Sequence, residues 1–324
     1  MNDKKDFKII FMGTPDFAAE SLKVLHENAF NVVAVITAPD KPAGRGRKIR
    51  ESAVKKYALQ NDLTVLQPTN LKNKDFIESL KFLNVDLQVV VAFRMLPECV
   101  WAMPPQGTVN LHASLLPQYR GAAPINHAII NGETKTGVTT FFIEKEIDTG
   151  NIIAQKETEI LPDEDAGKLH DKLMLVGGQL ILETVTDIMN NTVKAIPQKE
   201  LTGNESLKSA PKIFKSDCKI NWQQPAEKIY NFIRGLSPYP AAWTEITDKN
   251  GNSLTLKIYK TEKVSETHSH NSGTLISDNK NYLKIACVDA YLTVKELQLQ
   301  GKKRMNIKDL LNGFDISGFE IRDC

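Results

Sequence analysis

Residues 8–26, KIIFMGTPDFAAESLKVLH, contain the pattern that best indicates the fold class of this chain. Residues 8–12 form a short apolar run that is typical of a buried strand, and Gly13 follows them as a turn residue. Pro15 stands where the first turn of a helix accepts proline, and residues 17–26 carry apolar side chains at helical spacing. The stretch therefore predicts a strand that leads directly into a helix.

The same alternation continues along the first half of the chain. Residues 31–37 and 87–92 have the pattern of further buried strands, with helical patterns between strands. Strands that alternate with helices predict parallel pairing, with helices on both faces of the sheet. We therefore expect an α/β fold with a Rossmann-like, mostly parallel sheet. In such sheets ligands bind beyond the carboxyl ends of the strands.

The turn after the first strand argues against a nicotinamide cofactor. Its sequence, GTPDFA, has one glycine where the dinucleotide fingerprint GxGxxG needs three, and Pro15 fills the place of the second. No GxxxxGK(S/T) phosphate loop occurs in the chain. The sequence thus predicts a Rossmann-like topology without the Rossmann cofactor.

Residues 107–121, GTVNLHASLLPQYRG, carry candidate catalytic groups. A strand over residues 108–111 would point Asn110 and His112 to the same face, because residues two apart in a strand share a face. An amide can donate to a developing oxyanion, and an imidazole can carry a proton near neutral pH. The alternative is structural, because Asn and His often cap the end of a strand.

A turn between two later strands supplies a carboxylate. Residues 135–143 and 151–159 have strand patterns, and Asp148 lies between them in the turn DTG. From this turn the carboxylate can return toward the active end of the sheet. A surface turn with no catalytic role is the alternative. An amphipathic helix capped by Asp165 is then expected to run to about residue 190.

A loop between Ala38 and Ser52 concentrates positive charge. Five cations occur within ten residues, and four of them are candidate contacts to phosphate groups: Lys41, Arg45, Arg47 and Lys48. Mutual repulsion and two glycines should keep the loop mobile until an anionic partner orders it. A solvated surface loop with no partner is the alternative.

At 324 residues the chain is long enough for two domains. Residues 1–190 form the predicted Rossmann-like domain, and residues 191–210 lose periodicity and indicate a linker. Residues 211–324 contain short alternating runs, which predict a small antiparallel β-barrel of the oligonucleotide-binding (OB-like) kind. From Ser209 onward, 17 Lys and Arg accompany 13 Asp and Glu, against 24 and 26 before it. This modest positive excess suits a polyanion but is also common on ordinary surfaces.

Composition limits the other possibilities. Apolar residues make up 41% and charged residues 25%, as in ordinary globular proteins. Four cysteines without CxxC spacing argue against a disulfide framework or a zinc site and fit a reducing cytoplasm. His268 and His270 could mimic a metal pair, but neither a carboxylate nor a third histidine accompanies them. No stretch has the pattern of a signal peptide or a membrane span, so a cytoplasmic location is expected.

Together these segments resemble the 10-formyltetrahydrofolate-dependent formyltransferases. The shared core is Asn110 with His112, the SLLP turn that follows, and Asp148. Four further segments extend the resemblance nearly from end to end: GTPDFAAESL, DKPAGRGRK, SAPKIFKSDCKINW and LQLQGKKRM. The basic loop and the two C-terminal segments narrow it to the branch that acts on methionyl-tRNA.

The resemblance implies a reaction and roles within it. The formyl group of 10-formyltetrahydrofolate would pass to the α-amino group of methionine on initiator tRNA. Attack on the formyl carbon makes a tetrahedral oxyanion, which Asn110 and a protonated His112 would stabilise. Asp148 would orient the imidazole and help to relay the proton to the leaving folate nitrogen. The reaction requires no metal ion.

The resemblance also implies two binding surfaces. The folate surface comprises the SLLP turn and part of the segment VAFRMLPE: Ser114, Leu115, Leu116, Pro117, Phe93, Arg94 and Leu96. Arg94 and Met95 depart from the glycine and small or apolar residues expected there, which bears on contacts to the pterin ring. The tRNA surface comprises the basic loop and a C-terminal cluster: Lys41, Arg45, Arg47, Lys48, Lys302, Lys303 and Arg304.

Three alternatives stay open at this point. A formyltransferase acting on glycinamide ribonucleotide would share the core but lack the domain after Ser209. One acting on a sugar nucleotide would carry a different domain there. A noncatalytic RNA-binding protein would keep the basic loop but has no reason to keep Asn110, His112 and Asp148 together. For the formyltransferase that acts on methionyl-tRNA, a monomer is expected.

Overall fold

The computed structural model describes residues 3–43, 48–202 and 206–322. They fall into two compact units that are discontinuous in sequence. The first unit comprises Met1–Gly121, Thr136–Thr158 and His170–Ser209. The second unit comprises Ala122–Lys135, Glu159–Leu169 and Ala210–Cys324. The domain boundaries at residues 190 and 210 stay predictions.

Strands and helices alternate through the first half of the chain. In its described part the strands are β1 (Lys8–Gly13), β2 (Asn31–Ile36), β3 (Lys41–Ala43), β4 (Lys48–Arg50), β5 (Val65–Leu66), β6 (Leu87–Val91), β7 (Thr108–His112), β8 (Arg120–Gly121), β9 (Lys135–Phe142) and β10 (Ile152–Glu159). Across the described residues the α-helices are α1 (Asp16–Glu27), α2 (Ala53–Gln60), α3 (Lys74–Leu83), α4 (Glu98–Trp101), α5 (Pro124–Ile130), α6 (Ala166–Met189), α7 (Ala226–Leu236) and α8 (Ile307–Leu311).

A seven-stranded sheet with the order β10-β9-β7-β6-β1-β2-β5 organises the first unit. Strands β5, β2, β1, β6 and β7 pair in parallel, whereas β9 runs antiparallel to β7. The predicted Rossmann-like, mostly parallel sheet is therefore confirmed. Its long strands begin and end within about two residues of the predicted bounds.

The centre of this sheet is apolar on both faces. Ile9, Ile10 and Phe11 of β1 are fully buried, as expected for a parallel strand covered on both sides. Gly13 has a tighter role than the predicted turn, because a Cβ atom there would lie 2.5 Å from the Cβ of Ala18. Helix α1 therefore starts close against the end of β1.

An antiparallel sheet organises the second unit. Its strands are β12 (Ala242–Asp248), β13 (Ser253–Val264), β14 (Leu275–Ser277), β15 (Leu283–Ala286), β16 (Tyr291–Leu299), β17 (Met305–Asn306) and β18 (Phe319–Glu320), after a short β11 (Ser209–Ala210). The order is β14-β15-β16-β13-β12-β18, with β17 on β16. Trp222, Ile233 and Leu297 are among the residues of its buried core. The sheet is barrel-like and confirms the predicted OB-like architecture.

The segment predicted as a linker has local structure in its described part. Ile196 forms an isolated bridge with Ile152, and Gln198–Glu200 is a single 3-10 turn. Among the described residues, none of the helices has the length and apolar character needed to cross a membrane.

Candidate active site

Strand β7 carries Asn110 and His112 two residues apart, and therefore on one face, at the edge where the parallel strands end. Its last pairing with β6 joins Leu111 to Val91, so His112 lies one residue beyond that strand. On the other side His112 is paired with Thr139 of β9. His112 is buried and Asn110 is half-buried. The sheet thus presents an amide and an imidazole together at its carboxyl edge.

The imidazole of His112 is oriented by a backbone carbonyl. Its Nε2 lies 2.9 Å from the carbonyl oxygen of Tyr119. Because a carbonyl oxygen only accepts, Nε2 carries the proton in this contact. Nδ1 faces Asp148, 3.8 Å from its Oδ2, which is longer than a hydrogen bond. Nδ1 can therefore take up a proton and, once protonated, is attracted to the carboxylate.

The turn that carries Asp148 is held in an uncommon backbone conformation. Asp148 has a φ of 55°, and its Oδ2 accepts a 2.9 Å hydrogen bond from the N–H of Gly121. A Cβ atom at Gly150 would come within 1.7 Å of the carbonyl oxygen of Phe142, so only glycine fits there. These contacts hold the carboxylate beside His112.

The SLLP turn is fixed by hydrogen bonds to the neighbouring strands. Thr139 Oγ1 donates to the carbonyl of Ser114 at 2.6 Å and accepts from the N–H of Leu116 at 3.1 Å. Gln155 Nε2 donates to the carbonyl of Leu116 at 2.7 Å. The peptide bond between Leu116 and Pro117 is cis. The hydrogen bonds tie the turn to β9 and β10, immediately after the end of β7.

The predicted folate residues of this turn differ in accessibility. Ser114 is fully buried, and Leu116 packs against Phe141 and Ile152 in the interior. Leu115 is half-buried. Of the two leucines, Leu115 is thus the one available to line a ligand pocket.

The segment after β6 carries the other predicted folate residues. Phe93 is half-buried, and Leu96 is buried in the core beside β6. Arg94 donates to the carbonyl oxygens of Pro68 and Thr69, the latter at 3.0 Å. The arginine that departs from the expected sequence therefore joins two loops at this edge of the sheet.

The basic loop forms a small hairpin in its described part. Lys41 and Arg50 are opposite each other in the antiparallel pair β3 and β4, and Lys41 is exposed. Lys48 begins β4. Arg45 and Arg47 lie outside the described residues.

A polar cluster anchors the start of this hairpin. Asp40 accepts hydrogen bonds from Lys55 and from Gln67 Nε2, the latter at 2.9 Å. The bond from the Lys55 ammonium, followed by that from Gln67, holds the pKa of Asp40 below its ordinary value. The same pairing raises the pKa of Lys55.

The three residues of the predicted C-terminal cluster differ in whether they have partners within the protein. Lys302 and Lys303 are exposed. Arg304 forms an ion pair with Glu296 at 2.5 Å, and its guanidinium lies 4.4 Å from the ring centroid of Tyr259. Arg304 already has partners within the protein, so the two lysines are the more available cations.

A basic cavity in the second unit was missed from the sequence. Trp243, Lys257 and Gln298 are opposite one another on β12, β13 and β16, so their side chains share one face of the sheet. With Lys212 and Lys215 they line a cavity of about 760 Å³. We call these five residues the Trp243 surface. Strand alternation could have grouped the first three, but only if the pairing register were known.

The two histidines that could mimic a metal pair have protein partners. His268 Nε2 lies 3.0 Å from the carbonyl oxygen of Ala290, and His270 Nδ1 lies 2.8 Å from the hydroxyl of Tyr291. Within the described ranges, no group of three or more His, Cys, Asp or Glu residues is arranged to hold a metal ion.

Three polar residues near the site were also missed: Thr139, Gln155 and Gln198. The first two support the SLLP turn, and Gln198 contacts the turn of Asp148. Each lies far along the chain from the residues it supports. No local pattern distinguishes these side chains from other polar residues.

Comparison with known proteins identifies relatives along nearly the whole chain. The Formyl transferase family matches residues 7–185, and the Formyl transferase C-terminal domain family matches residues 212–315. A methionyl-tRNA formyltransferase of Bacteroides thetaiotaomicron is 54% identical over 97% of this chain and 98% of its own length. One of Flavobacterium johnsoniae is 55% identical, with 96% and 97% covered.

Solved structures show the same fold at low identity. The sugar 3N-formyl transferase WlaRD, solved with dTDP and 5-N-formyl-THF, has a TM-score of 0.63 and 24% identity, covering 92% of this chain and 99% of its own. HypX from Aquifex aeolicus in complex with tetrahydrofolic acid has a TM-score of 0.62 and 14% identity, covering 97% and 50%.

Proposed function

Because this chain belongs to the methionyl-tRNA formyltransferase family, we propose that it transfers the formyl group of 10-formyltetrahydrofolate to the α-amino group of methionine on initiator tRNA. The product is N-formylmethionyl-tRNA, the substrate of translation initiation. One observation carries the proposal: Asn110 and His112 share a face of β7 at the carboxyl edge, and Nδ1 of His112 lies 3.8 Å from the Asp148 carboxylate.

The reaction begins with an amine that must be neutral to attack. An α-amino group titrates near neutrality, so its unprotonated form is available in the cytoplasm, where we place the enzyme. Its nitrogen forms a bond to the formyl carbon, and the carbonyl electrons move to oxygen. The amide of Asn110 and the protonated ring of His112 stabilise this oxyanion.

The intermediate then collapses with a transfer of protons. The oxyanion electrons re-form the carbonyl as the bond from the formyl carbon to the folate nitrogen breaks, and the protonated ring of His112 gives a proton to that nitrogen. The ring then takes the proton that the attacking nitrogen loses. His112 is suited to this relay because Nδ1 faces a carboxylate while Nε2 is held by Tyr119. None of these steps calls for a metal ion.

The folate would lie along the carboxyl edge of the sheet, between the SLLP turn and the segment after β6. Leu115 and Phe93 are the half-buried apolar side chains there. Arg94 ties the second segment to Pro68 and Thr69 and so limits its movement. Apolar walls with a few fixed polar groups are typical of such pockets.

The tRNA would contact positive charge on each unit separately. In the first unit this is the hairpin that contains Lys41. In the second unit it is the Trp243 surface together with Lys302 and Lys303. Lysines beside an aromatic ring suit a phosphate backbone with an accessible base, and OB-like sheets bind oligonucleotides on such a face. A monomeric enzyme suffices for this arrangement.

Formyl transfer to charged initiator tRNA tests the proposal directly. The full chain is assayed with 10-formyltetrahydrofolate and four acceptors: initiator methionyl-tRNA, elongator methionyl-tRNA, glycinamide ribonucleotide and an amino-sugar nucleotide. We expect transfer to the initiator tRNA at a much higher kcat/KM than to the others. Preference for a small acceptor would contradict the proposal, and binding of tRNA without transfer would favour a noncatalytic RNA-binding protein.

A further inference from the structure

Gln198 is a buried side chain in a segment that has no catalytic signal in the sequence. It is 3% exposed, whereas Lys199 and Glu200 of the same 3-10 turn are exposed. A buried amide must have its hydrogen-bonding groups satisfied, because each unpaired one loses its bonds to water. The partners of Gln198 therefore show what the residue is placed to hold.

All four hydrogen-bonding positions of the Gln198 amide are used. Nε2 donates to the carbonyl oxygens of Asp148 and Gly150, each at 2.9 Å. Oε1 accepts from Nε and Nη2 of Arg120, at 3.0 and 2.6 Å. The two carbonyls lie on either side of Thr149, so one amide group holds both ends of the turn that carries the carboxylate.

The two residues beside Arg120 in the chain contact His112 and Asp148. Tyr119, the residue before Arg120, accepts the hydrogen bond from His112 Nε2. Gly121, the residue after it, donates to Oδ2 of Asp148. Gln198 therefore joins the backbone segment that orients the imidazole to the turn that presents the carboxylate.

We propose that Gln198 is a positioning residue, which sets the distance between the Asp148 carboxylate and the His112 ring by binding the Asp148 turn and Arg120 with one amide. This inference rests on the proposed function, in which His112 and Asp148 carry the transfer. The left-handed backbone of Asp148 explains why the turn needs the hydrogen bonds from Gln198, because such a conformation persists only where surrounding bonds hold it.

The rest of the segment is anchored without Gln198. Ile196 exchanges two 2.8 Å backbone hydrogen bonds with Ile152, two residues before the glutamine. The chain would therefore stay on the sheet if the amide were lost. What the amide adds to this anchor is the alignment of the Asp148 turn.

Two substitutions test the donor and acceptor groups of the Gln198 amide. Gln198→Met keeps the length and removes every hydrogen bond. Gln198→Glu keeps an acceptor for Arg120 but places a carboxylate against the carbonyls of Asp148 and Gly150. If the donors to the turn matter, both variants should lower kcat by about tenfold to a hundredfold, while KM for folate and tRNA stays within about twofold.

Two control variants define what a merely structural effect looks like. Lys199→Met changes an exposed neighbour in the same turn and should leave kcat unchanged. Thr184→Val removes a buried 2.8 Å hydroxyl contact to Thr140 elsewhere in the first unit, so it lowers stability without touching the Asp148 turn. If Gln198→Met does not fold, Gln198→Asn, which is too short to reach all four partners, replaces it with the same expected loss.

A second measurement needs no activity. Amide hydrogen exchange at Gly121 reports on its bond to Asp148, and it should become faster in Gln198→Met and Gln198→Glu but not in the two controls. A wild-type chain that transfers no formyl group would reject the proposed function alone, because the exchange experiment still tests the positioning role. Wild-type kcat in Gln198→Glu, unchanged exchange at Gly121, or an equal loss of kcat in Thr184→Val would overturn the inference.

Discussion

The candidate active site and the Trp243 surface differ in how their polar and charged groups are held. Around His112, the imidazole, the Asp148 carboxylate and the intervening backbone are bound to one another within the first unit. On the Trp243 surface, Lys212 and Lys215 extend into solvent. The groups of the first region are therefore held by the protein itself, whereas these lysines of the second region are exposed.

This difference predicts which quantity each region controls. Preorganised donors act on charge that develops in the transition state, so their loss lowers kcat. Exposed lysines act on a phosphate backbone that is charged throughout, so their loss weakens binding and its salt dependence.

Removal of the imidazole should have the largest effect. His112→Ala should lower kcat by about two to three powers of ten, near 2.7 to 4 kcal/mol, because it removes an oxyanion donor and the proton relay. Asn110→Ala should have a similar effect through its amide. Affinity for charged tRNA, measured at matched salt, should barely change. An equal loss of tRNA binding would contradict the separation of the two regions.

Neutralising the Asp148 carboxylate should have the next largest effect on kcat. Asp148→Asn keeps the shape and can still accept the N–H of Gly121, but it no longer attracts a protonated His112. We expect kcat to fall by roughly tenfold or more with little change in KM. Asp163→Asn serves as a control, because it changes an exposed carboxylate after β10. Wild-type kcat in Asp148→Asn would exclude a role for the charge.

Arg45, between two glycines of the basic loop, should contribute to discrimination between tRNAs. An arginine fork can engage a base edge or phosphates. Arg45→Ala should therefore lower kcat/KM by an amount equivalent to about 1 to 3 kcal/mol, and it should reduce the difference in kcat/KM between initiator and elongator tRNA. Lys48→Ala should instead lower kcat/KM for initiator and elongator tRNA by the same factor. If Arg45→Ala leaves rate and discrimination intact, the loop is only a solvated surface segment.

A single lysine of the Trp243 surface should have a smaller effect that depends on salt. Lys257→Ala should raise the Kd for tRNA modestly and reduce the slope of log Kd against log salt concentration by about one, as expected for one phosphate contact. Lys295→Ala is the matched control, because that lysine lies on the same sheet but pairs with Glu262 at 2.7 Å. Equal salt slopes in the two variants would remove this face from the proposed interface.

The anchor of the basic hairpin should give the smallest effect, and one that depends on pH. The pKa of Asp40 is lowered by Lys55, so its stabilisation is present above the ordinary value of 3.8 and is lost as the pH falls through the lower folded value. The difference in Tm between wild type and Asp40→Asn should therefore shrink in acid. The exposed Glu78→Gln is the control. A constant difference across pH 2 to 7 would show that the ion pair does not stabilise the fold.

Much of the fold follows from local patterns. The apolar runs predicted β1, β2 and β6 because a strand buried on both faces needs apolar side chains throughout. Alternation also predicted Asn110 and His112 on one face, and the DTG turn made Asp148 a candidate carboxylate, with a plain surface turn as the alternative. The discontinuous units could not be foreseen, because helix α5 and residues 159–169 group with parts of the chain that follow them much later.

Patterns within single strands, turns and helices are enough to predict the Rossmann-like topology, the barrel-like second sheet and the candidate catalytic groups. The contacts that hold those groups in place come from packing between distant segments. Gln198 lies 50 residues from Asp148 and 78 from Arg120, and its neighbours in sequence give no sign of either contact. Periodicity reports which side of an element is buried, whereas a hydrogen bond between distant segments exists only after the whole chain has packed.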